Sequence, residues 1–249
     1  MKAATFALAL CVPVTRAWVA PSRPLRVAAQ RAATTDAPAH LADADAAAAA
    51  AVAAAPSLGE PVCVYHELRV PTARGADAVP AQEVTVADLT PHVAALVKHS
   101  GVREGSVTVC SRHTTTALTI NEWESRLVDD VARWLLELAP PDDRSEVGRD
   151  GAGVSYFHND IDVRPDSADE RERCLENGWA IDDPAELQRW RDQEPINAHS
   201  HLLAMLLGST ECIPVSGGRI VLGQWQSVML VDLDGPRDRT VGLQVTGYK

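Results

Sequence analysis

CIPVSGGRIVLGQWQSVMLVDLDGPRDRTVGLQVTG, residues 212–247, is the stretch that decides the fold. It consists of short apolar runs rich in valine, isoleucine and leucine, separated by Gly217-Gly218 and by the Asp-Gly-Pro segment 234–236. Runs of this length bounded by glycine and proline are typical of β-strands joined by tight turns. The stretch therefore predicts three or four consecutive strands, arranged as an antiparallel meander.

The residues before this stretch alternate between strand-like and helix-like patterns. β-Branched runs predict further strands at 63–70, 106–111 and 115–120. A helix is expected to open at Thr90-Pro91, and a second, amphipathic helix is expected to run from Glu124 to Ala139. Strands at both ends of the region with helices between them indicate the α+β class.

The first 56 residues differ in composition from the remainder. Residues 1–35 contain no acidic residue, and their apolar run 3–14 followed by Arg16-Ala17 matches a secretory-type signal peptide. The arginine- and serine-containing residues that follow are typical of a transit peptide, so the two signals in series predict import into a complex plastid, with simple secretion as the alternative.

Alanine dominates residues 36–56, which we interpret as a linker or a remnant of the transit peptide. The predicted organisation is therefore a presequence with its linker over 1–56 and one domain over 57–249. The N-terminal apolar run is too short for a permanent membrane anchor, which needs roughly 20 residues.

The charge balance limits the class of partner. The chain carries 34 acidic and 23 basic residues, a formal net charge of −11, which argues against non-specific binding to nucleic acid. A local cationic pocket for a phosphorylated small molecule remains compatible with that balance. The cysteines that follow the presequence are widely scattered, so neither a zinc knuckle nor a disulfide framework is indicated, and small buried residues are expected.

Segment 160–195 has a different amino-acid composition from the rest of the domain. It is strongly charged, with Trp179 and Trp190 as its main apolar anchors, and only one short helix is predicted in it, near 184–191. Two interpretations stay open: a lid beside the site, or a solvated insertion.

Three histidines from separate predicted elements are candidates for one site. His113 lies between two predicted strands, His158 follows an aromatic pair, and His199 lies near the start of a short apolar helix. Neutral imidazole is the metal-binding form, so the three can form an open metal site, although a structural role is compatible with each. Residues two apart on a helix point about 200° apart, so His199 and His201 are not expected to share one site.

Other polar residues lie close to these histidines in the sequence. Alternation along a strand would place Thr115 on the same face as His113, and Thr114 on the opposite face. Asn121 and Glu122 lie where a strand meets a helix, a junction that can present polar groups to a metal or substrate, with helix capping as the alternative.

Two further candidates lie in the C-terminal stretch. Gln226, beside Trp225, belongs to a Gly-Gln-Trp-Gln segment that can bind a heteroaromatic ring or can simply be part of a strand. Arg237 and Arg239 belong to a predicted hairpin loop, where they can hold phosphate or act as surface charges.

Taken together, these segments resemble the YjbQ-like family, whose members are known as secondary thiamine-phosphate synthases. The motifs that carry the resemblance are HTTTALTINE at 113–122, YFHNDIDVRP at 156–165, EPINAHSHLLAMLLG at 194–208, IPVSGGRIVLGQWQSVMLVDLDGPR at 213–237 and the closing VGLQVTG. The resemblance spans about Pro61 to Lys249.

The resemblance implies one compact α+β domain with a β-sandwich-like sheet arrangement, assembling as a homotrimer with sites near the subunit boundaries. It assigns His113, His158 and His199 to a bound divalent metal, Zn²⁺, Mg²⁺ or Mn²⁺. Asn121, Glu122, Gln226 and Arg237 match recurrent family positions, and Glu122 is the candidate acid or base.

The implied reaction joins a hydroxymethylpyrimidine diphosphate to a thiazole phosphate and releases pyrophosphate, with the metal and arginine offsetting charge on the leaving group. Two alternatives use the same histidines. One is a non-catalytic trimeric protein that binds a phosphorylated metabolite, and the other is a metal-dependent hydrolase.

Overall fold

Eight strands and five α-helices are formed by the residues that a computed structural model describes: residue 50 and residues 59–72, 83–143 and 153–249. The residues from 59 onward belong to one compact unit, Ser57–Lys249. The predicted presequence and linker, 1–56, lie outside the described residues apart from residue 50.

The strands are all paired antiparallel and fall into two sheets. The five-stranded sheet has the order β1-β8-β3-β5-β6, and the three-stranded sheet has the order β2-β7-β4. The strands are β1 Pro61–Pro71, β2 Glu83–Asp88, β3 Glu104–Ser111, β4 Thr116–Glu122, β5 Thr210–Ser216, β6 Arg219–Ile220, β7 Gln226–Gly235 and β8 Asp238–Tyr248. The helices are α1 Thr90–Ser100, α2 Ser125–Leu138, α3 Ala168–Glu176, α4 Pro184–Gln193 and α5 Ala198–Leu207.

The predicted C-terminal meander is only partly correct. β5 and β6 pair as consecutive strands, but β7 joins the other sheet and β8 lies between β1 and β3. The reason is that β7 is buried on both faces from Val228 to Asp234, so it needs a neighbouring layer on each side. The α+β class and the pair of antiparallel sheets are confirmed.

Two apolar cores lie on opposite sides of the three-stranded sheet. The first, which includes Val109 and Leu243 of the five-stranded sheet, packs against Leu230 of β7 and Val93 of α1. The second contains Leu233 of β7 and side chains from α2 and α5. The five-stranded sheet packs on one face of the three-stranded sheet, and helices α2 and α5 pack on the other. This order of layers places the start of α5 beside the β3–β4 turn and the end of β7.

The helix ends follow their sequence signals. Pro91 occupies the first turn of α1, and Gly101 ends this helix with a left-handed φ of 74°. The Glu124 carboxylate accepts hydrogen bonds from the backbone N–H groups of Arg126 at 3.0 Å and Leu127 at 2.8 Å. Glu124 therefore caps α2.

Segment 160–195 folds around a small core of its own, formed by Cys174, Ile181 and Trp190. It contains the predicted helix as α4 and a second helix, α3, that was not predicted. The missed signal is the N-cap residue Ser167, which accepts a hydrogen bond from the backbone N–H of Glu170 at 3.2 Å. The segment is thus a folded insertion rather than a long loop.

All four cysteines among the described residues are free thiols. Only Cys174 is buried, whereas Cys63 and Cys212 are exposed, so the expectation of uniformly buried cysteines is wrong. No helix within the described part of the chain is long and apolar enough to span a membrane.

Candidate functional site

His113 lies in the turn between β3 and β4. Because β3 ends at Ser111 and β4 begins at Thr116, alternation along a strand does not apply to the two threonines between His113 and Thr116. Thr115 is buried and Thr114 is exposed, and both line the same cavity as His113. The structure therefore brings together the two threonines that the strand argument separated.

His158 lies in a 3-10 turn, Phe157–Asn159, that is fastened to the start of α5. The buried Asn159 side chain accepts a hydrogen bond from the backbone N–H of Ala198 at 3.1 Å. This contact places the His158 ring against His201, where the two rings meet edge to face with centroids 4.8 Å apart. Two elements nearly 40 residues apart thus supply neighbouring imidazoles.

His201, rather than His199, lines the cavity. His201 shares this wall with His113 and His158, whereas His199 is fully buried, with 0 % exposure. The two rings thus lie apart, as helix geometry predicts, and the residue at the cavity is His201 rather than His199, which the family motif assigns to the metal. Ser200, which donates a hydrogen bond to the carbonyl oxygen of Leu233 at 2.6 Å, fixes the rotation of α5 against β7.

The histidines at the cavity are held in their neutral form. Burial lowers the pKa of His113, and the nearby Arg239 guanidinium lowers it further. Burial likewise lowers the pKa of His158, with an added contribution from Arg164. For His201, burial and the adjacent His158 lower the pKa, while a hydrogen bond to the Thr114 backbone opposes the shift. Neutral imidazoles have a lone pair available for a cation.

His113 is already committed to a hydrogen bond. Its Nε2 accepts from the backbone N–H of Thr240 at 2.8 Å. A neutral imidazole that accepts at one nitrogen carries its proton on the other, so the remaining nitrogen, Nδ1, is a donor. In this conformation His113 presents an N–H group to the cavity. The metal-ligand role expected from the sequence would require a free lone pair at that nitrogen.

The cavity has a volume of about 460 Å³ and is rich in guanidinium groups. Four arginines line it together with two carboxylates, in a chain whose formal net charge is −11. The lining charges are Arg112, Arg164, Arg237, Arg239, Glu194 and Asp234. The local excess of positive charge suits an anionic ligand such as a phosphate group.

The four guanidinium groups are not equally available. Arg239 is 3 % exposed and pairs with the fully buried Asp232, and Arg164 pairs with Glu170 at 2.8 Å and Glu194 at 3.1 Å. Arg237 is half exposed and pairs with Asp234 at 3.2 Å, and Arg112, also half exposed, pairs with Glu67. Arg112 and Arg237 are accordingly the more exposed guanidinium groups of the cavity, and the phosphate-binding role of Arg237 stays a prediction.

A second cavity of about 360 Å³ shares part of its wall with the first. His113, Thr114 and His201 border both cavities, while Ala204 and Met205 of α5 give the second an apolar side. The two cavities therefore meet at the histidines, one with a cationic lining and the other with a more apolar lining.

Asn121, Glu122 and Gln226 lie at the opposite end of the three-stranded sheet. In the β4–β7 ladder, Thr116 pairs with Asp232 near the cavity, whereas Glu122 pairs with Gln226. Six residues of strand separate the two ends, about 20 Å at the usual rise. Within one chain these three residues do not contribute to the cavity, because the motif that joins them to His113 is an extended strand.

The described residues contain no group of three His, Cys, Asp or Glu side chains placed to hold a metal ion. The two neighbouring neutral imidazoles, His158 and His201, nevertheless fit a divalent cation chemically, since nitrogen ligands of this kind suit Zn²⁺ and Mn²⁺ and leave positions for ligand oxygens. The donor set that fits is therefore smaller than the three histidines expected from the sequence.

Several residues of this site were not predicted. Arg112 directly precedes His113, Arg164 belongs to the insertion, and Asn197 directly precedes α5. One signal favouring His201 was available: His201, Ala204 and Met205 lie three and four residues apart, on one helix face, and all three line the second cavity. Nothing local to Arg112 or Arg164 marks them as site residues.

Comparison with known proteins agrees with this architecture. The family model described as UPF0047 protein YjbQ-like matches residues 77–248. A UPF0047 protein from Methanothermobacter thermautotrophicus is 34 % identical over 166 residues, which is 67 % of this chain and 85 % of that protein.

Two solved structures are similar in fold. One, a YbjQ-like protein of unknown function from Sulfolobus solfataricus P2, has a TM-score of 0.53 and 26 % identity, covering 76 % of this chain and all of that one. The other, a hypothetical protein from Aeropyrum pernix K1, has a TM-score of 0.52 and 28 % identity, covering 74 % of this chain and 99 % of that one. The chain belongs to the YjbQ-like UPF0047 family.

Proposed function

We propose that this protein is a metal-dependent transferase that joins a hydroxymethylpyrimidine diphosphate to a thiazole phosphate and releases pyrophosphate. The observation that carries the proposal is the cationic cavity that contains His113, His158 and His201 and adjoins a more apolar one. A phosphorylated heteroaromatic substrate carries an anionic group, which is complementary to the cationic cavity, and a ring, which suits the more apolar one.

The residues of the cavity suit separate tasks in such a reaction. Arg237 can form charge-assisted hydrogen bonds with phosphate oxygens, and the N–H group at Nδ1 of His113 can donate to an oxygen of the leaving diphosphate. Thr114 can add a hydroxyl donor from the wall common to both cavities. A divalent ion held by His158 and His201 would offset charge on the diphosphate.

We further propose that the chain assembles as a homotrimer with sites near the subunit boundaries. Support comes from the far end of the three-stranded sheet, where Trp123 and Trp225 are 45 % and 68 % exposed beside Glu122 and Gln226. Large exposed aromatic side chains in one region are typical of an interface. In such an assembly, Asn121, Glu122 and Gln226 would act only at a neighbouring subunit's cavity. The mass of the purified protein from light scattering tests this assembly.

The proposed activity is tested with both substrates and Mg²⁺, Mn²⁺ or Zn²⁺, by measuring thiamine phosphate and pyrophosphate in equal amounts. Formation of neither product above a protein-free control would overturn it. Binding of either substrate without turnover would favour a non-catalytic phosphometabolite-binding protein, and release of phosphate without coupling would favour a hydrolase.

We also propose import into a complex plastid, on the basis of the signal peptide and the transit peptide predicted within residues 1–56. Fusion of these residues to a fluorescent protein in an alga with a complex plastid tests it. Plastid fluorescence is expected, and fluorescence in the medium would favour secretion.

A further inference from the structure

Asn197 occupies the N-cap position of α5 but does not cap the helix. Asparagine at this position normally accepts hydrogen bonds from the second or third backbone N–H group of the helix, and the Asn197 side chain makes no such bond. The first N–H of the helix, that of Ala198, donates to Asn159 at 3.1 Å, and the third, that of Ser200, donates to the backbone oxygen of Asn197 at 2.9 Å. The Asn197 amide is therefore available for another purpose.

The orientation of that amide follows from its partner. Nδ2 of Asn197 donates to Oδ2 of Asp234 at 2.8 Å, and an ionised carboxylate only accepts hydrogen bonds. Arg237 pairs with the same carboxylate at 3.2 Å. The nitrogen of the amide must face Asp234, so the oxygen, Oδ1, faces away from it.

That oxygen is buried and lacks a partner. Asn197 is only 4 % exposed, and Oδ1 has no hydrogen-bond partner among the residues that the structure describes. A buried acceptor without a donor costs free energy, so its retention requires a reason. Asn197 lines the cavity with His158 and His201, and its side chain opposes the lowering of the pKa of His158, so the amide lies beside that ring.

The neighbouring histidines leave matching positions open. The rings of His158 and His201 lie edge to face with centroids 4.8 Å apart, and both line the same cavity as Asn197. Each neutral ring carries one lone pair and the amide oxygen offers another acceptor, so the three residues supply three possible ligand atoms to one cavity.

We propose that Oδ1 of Asn197 is a third ligand, beside one ring nitrogen each of His158 and His201, for a divalent cation at this cavity. The proposal rests on the proposed metal-dependent function and specifies its cation site. An amide oxygen with two imidazoles leaves further coordination positions for oxygens of a phosphorylated substrate. Asp234 is then a positioning residue, because it holds the amide in the orientation that binds.

The test is a Mn²⁺ titration of the full-length protein, with free Mn²⁺ measured by electron paramagnetic resonance and the melting temperature followed in parallel. Asn197→Ala is expected to weaken Mn²⁺ binding about 10- to 100-fold. The matched control is Asn177→Ala, which removes an exposed amide at the end of α3 and is expected to leave the dissociation constant unchanged.

Asn197→Asp provides a second, nearly isosteric test that does not depend on the alanine variant folding. Without metal the new carboxylate faces Asp234 and lowers the melting temperature, whereas bound Mn²⁺ relieves the repulsion. The rise in melting temperature on adding Mn²⁺ is therefore expected to be larger than in the wild-type protein. An equal or smaller rise would contradict the proposal.

The outcomes separate this inference from the function on which it rests. If the wild-type protein binds none of Mn²⁺, Mg²⁺ and Zn²⁺, both fail. If the wild-type protein binds Mn²⁺ and Asn197→Ala binds it equally well, the Asn197 assignment is wrong and the metal-dependent function stands.

Discussion

The imidazole rings of His158 and His201 meet edge to face, with centroids 4.8 Å apart, although one comes from a 3-10 turn and the other from the first turn of α5. Burial lowers the pKa of both rings, so two uncharged imidazoles face a cavity that also contains guanidinium groups. Neutral ring nitrogens and fixed positive charge therefore line one cavity, and under the proposed function the imidazoles would bind the cation while the guanidinium groups would bind phosphate.

The two histidines of α5 are expected to respond differently to substitution. His199→Ala removes a fully buried side chain and should lower the free energy of unfolding by about 2–4 kcal/mol, because the cavity left behind loses packing. His201→Ala, at a partly exposed position, should cost less. Urea unfolding of both variants measures the difference, and equal losses would contradict the placement of the two rings.

Stability is expected to fall in mild acid. Burial lowers the pKa of His199 in the folded protein, and the pKa values of His113, His158 and His201 are lowered in the same direction. The unfolded chain, with histidine pKa values near about 6.5, therefore binds protons more readily than the folded chain. The stabilisation is present above that pH and is lost as the pH falls toward the folded-state values.

Urea unfolding at pH 7.5 and pH 5.5 measures this dependence. A free energy of unfolding that is equal at the two pH values, or higher at pH 5.5, would show that the imidazoles are not held neutral. His199→Gln should reduce the dependence, since it removes one of the groups concerned.

The buried pair of Arg239 and Asp232 supports the wall of the cavity and is expected to be costly to break. Arg239→Met leaves an unpaired carboxylate that has 0 % exposure, so the free energy of unfolding should fall by about 3–5 kcal/mol. Arg133→Met removes an exposed ion pair with Asp130 and serves as the control, with little change expected. Thermal unfolding compares the two, and similar melting temperatures would argue against the buried pair.

Trp190 is expected to hold the inserted segment together. It is 5 % exposed, packs with Cys174 and Ile181, and lies under the Arg164 guanidinium at 5.4 Å. Trp190→Ala should expose the backbone of residues 160–195 to hydrogen exchange while the sheets keep their protection, because the segment has a separate core. Trp134→Ala, at a half-exposed position, is the control, and unchanged exchange in the insertion after Trp190→Ala would contradict this account.

The fold followed from local patterns more completely than the site did. Strands such as Pro61–Pro71 and helices such as Thr90–Ser100 carry their own signals in β-branched runs and in a first-turn proline, so the α+β class was predictable. The partition of β7 and β8 between two sheets was not, because it depends on which layers cover β7.

The site depended on tertiary relationships that spacing does not encode. Helix geometry showed that His199 and His201 point apart, but only the packing of α5 against β7, fixed by Ser200, decides which ring reaches the cavity. The strand β4 likewise carries Glu122 away from His113 although both belong to one motif. Residues that are close in sequence need not be close in space. An extended strand separates them most, because its rise per residue is the largest of the regular elements.

The most direct test of the central claim compares the rate of thiamine phosphate formation by wild-type protein and by His201→Asn, at saturating concentrations of both substrates and Mn²⁺. His92→Asn, which changes an exposed histidine of α1, is the control. The account predicts a loss of at least about 100-fold for His201→Asn, comparable to removal of an important catalytic interaction, and a wild-type rate for the control. A folded His201→Asn variant that forms thiamine phosphate at the wild-type rate would contradict it.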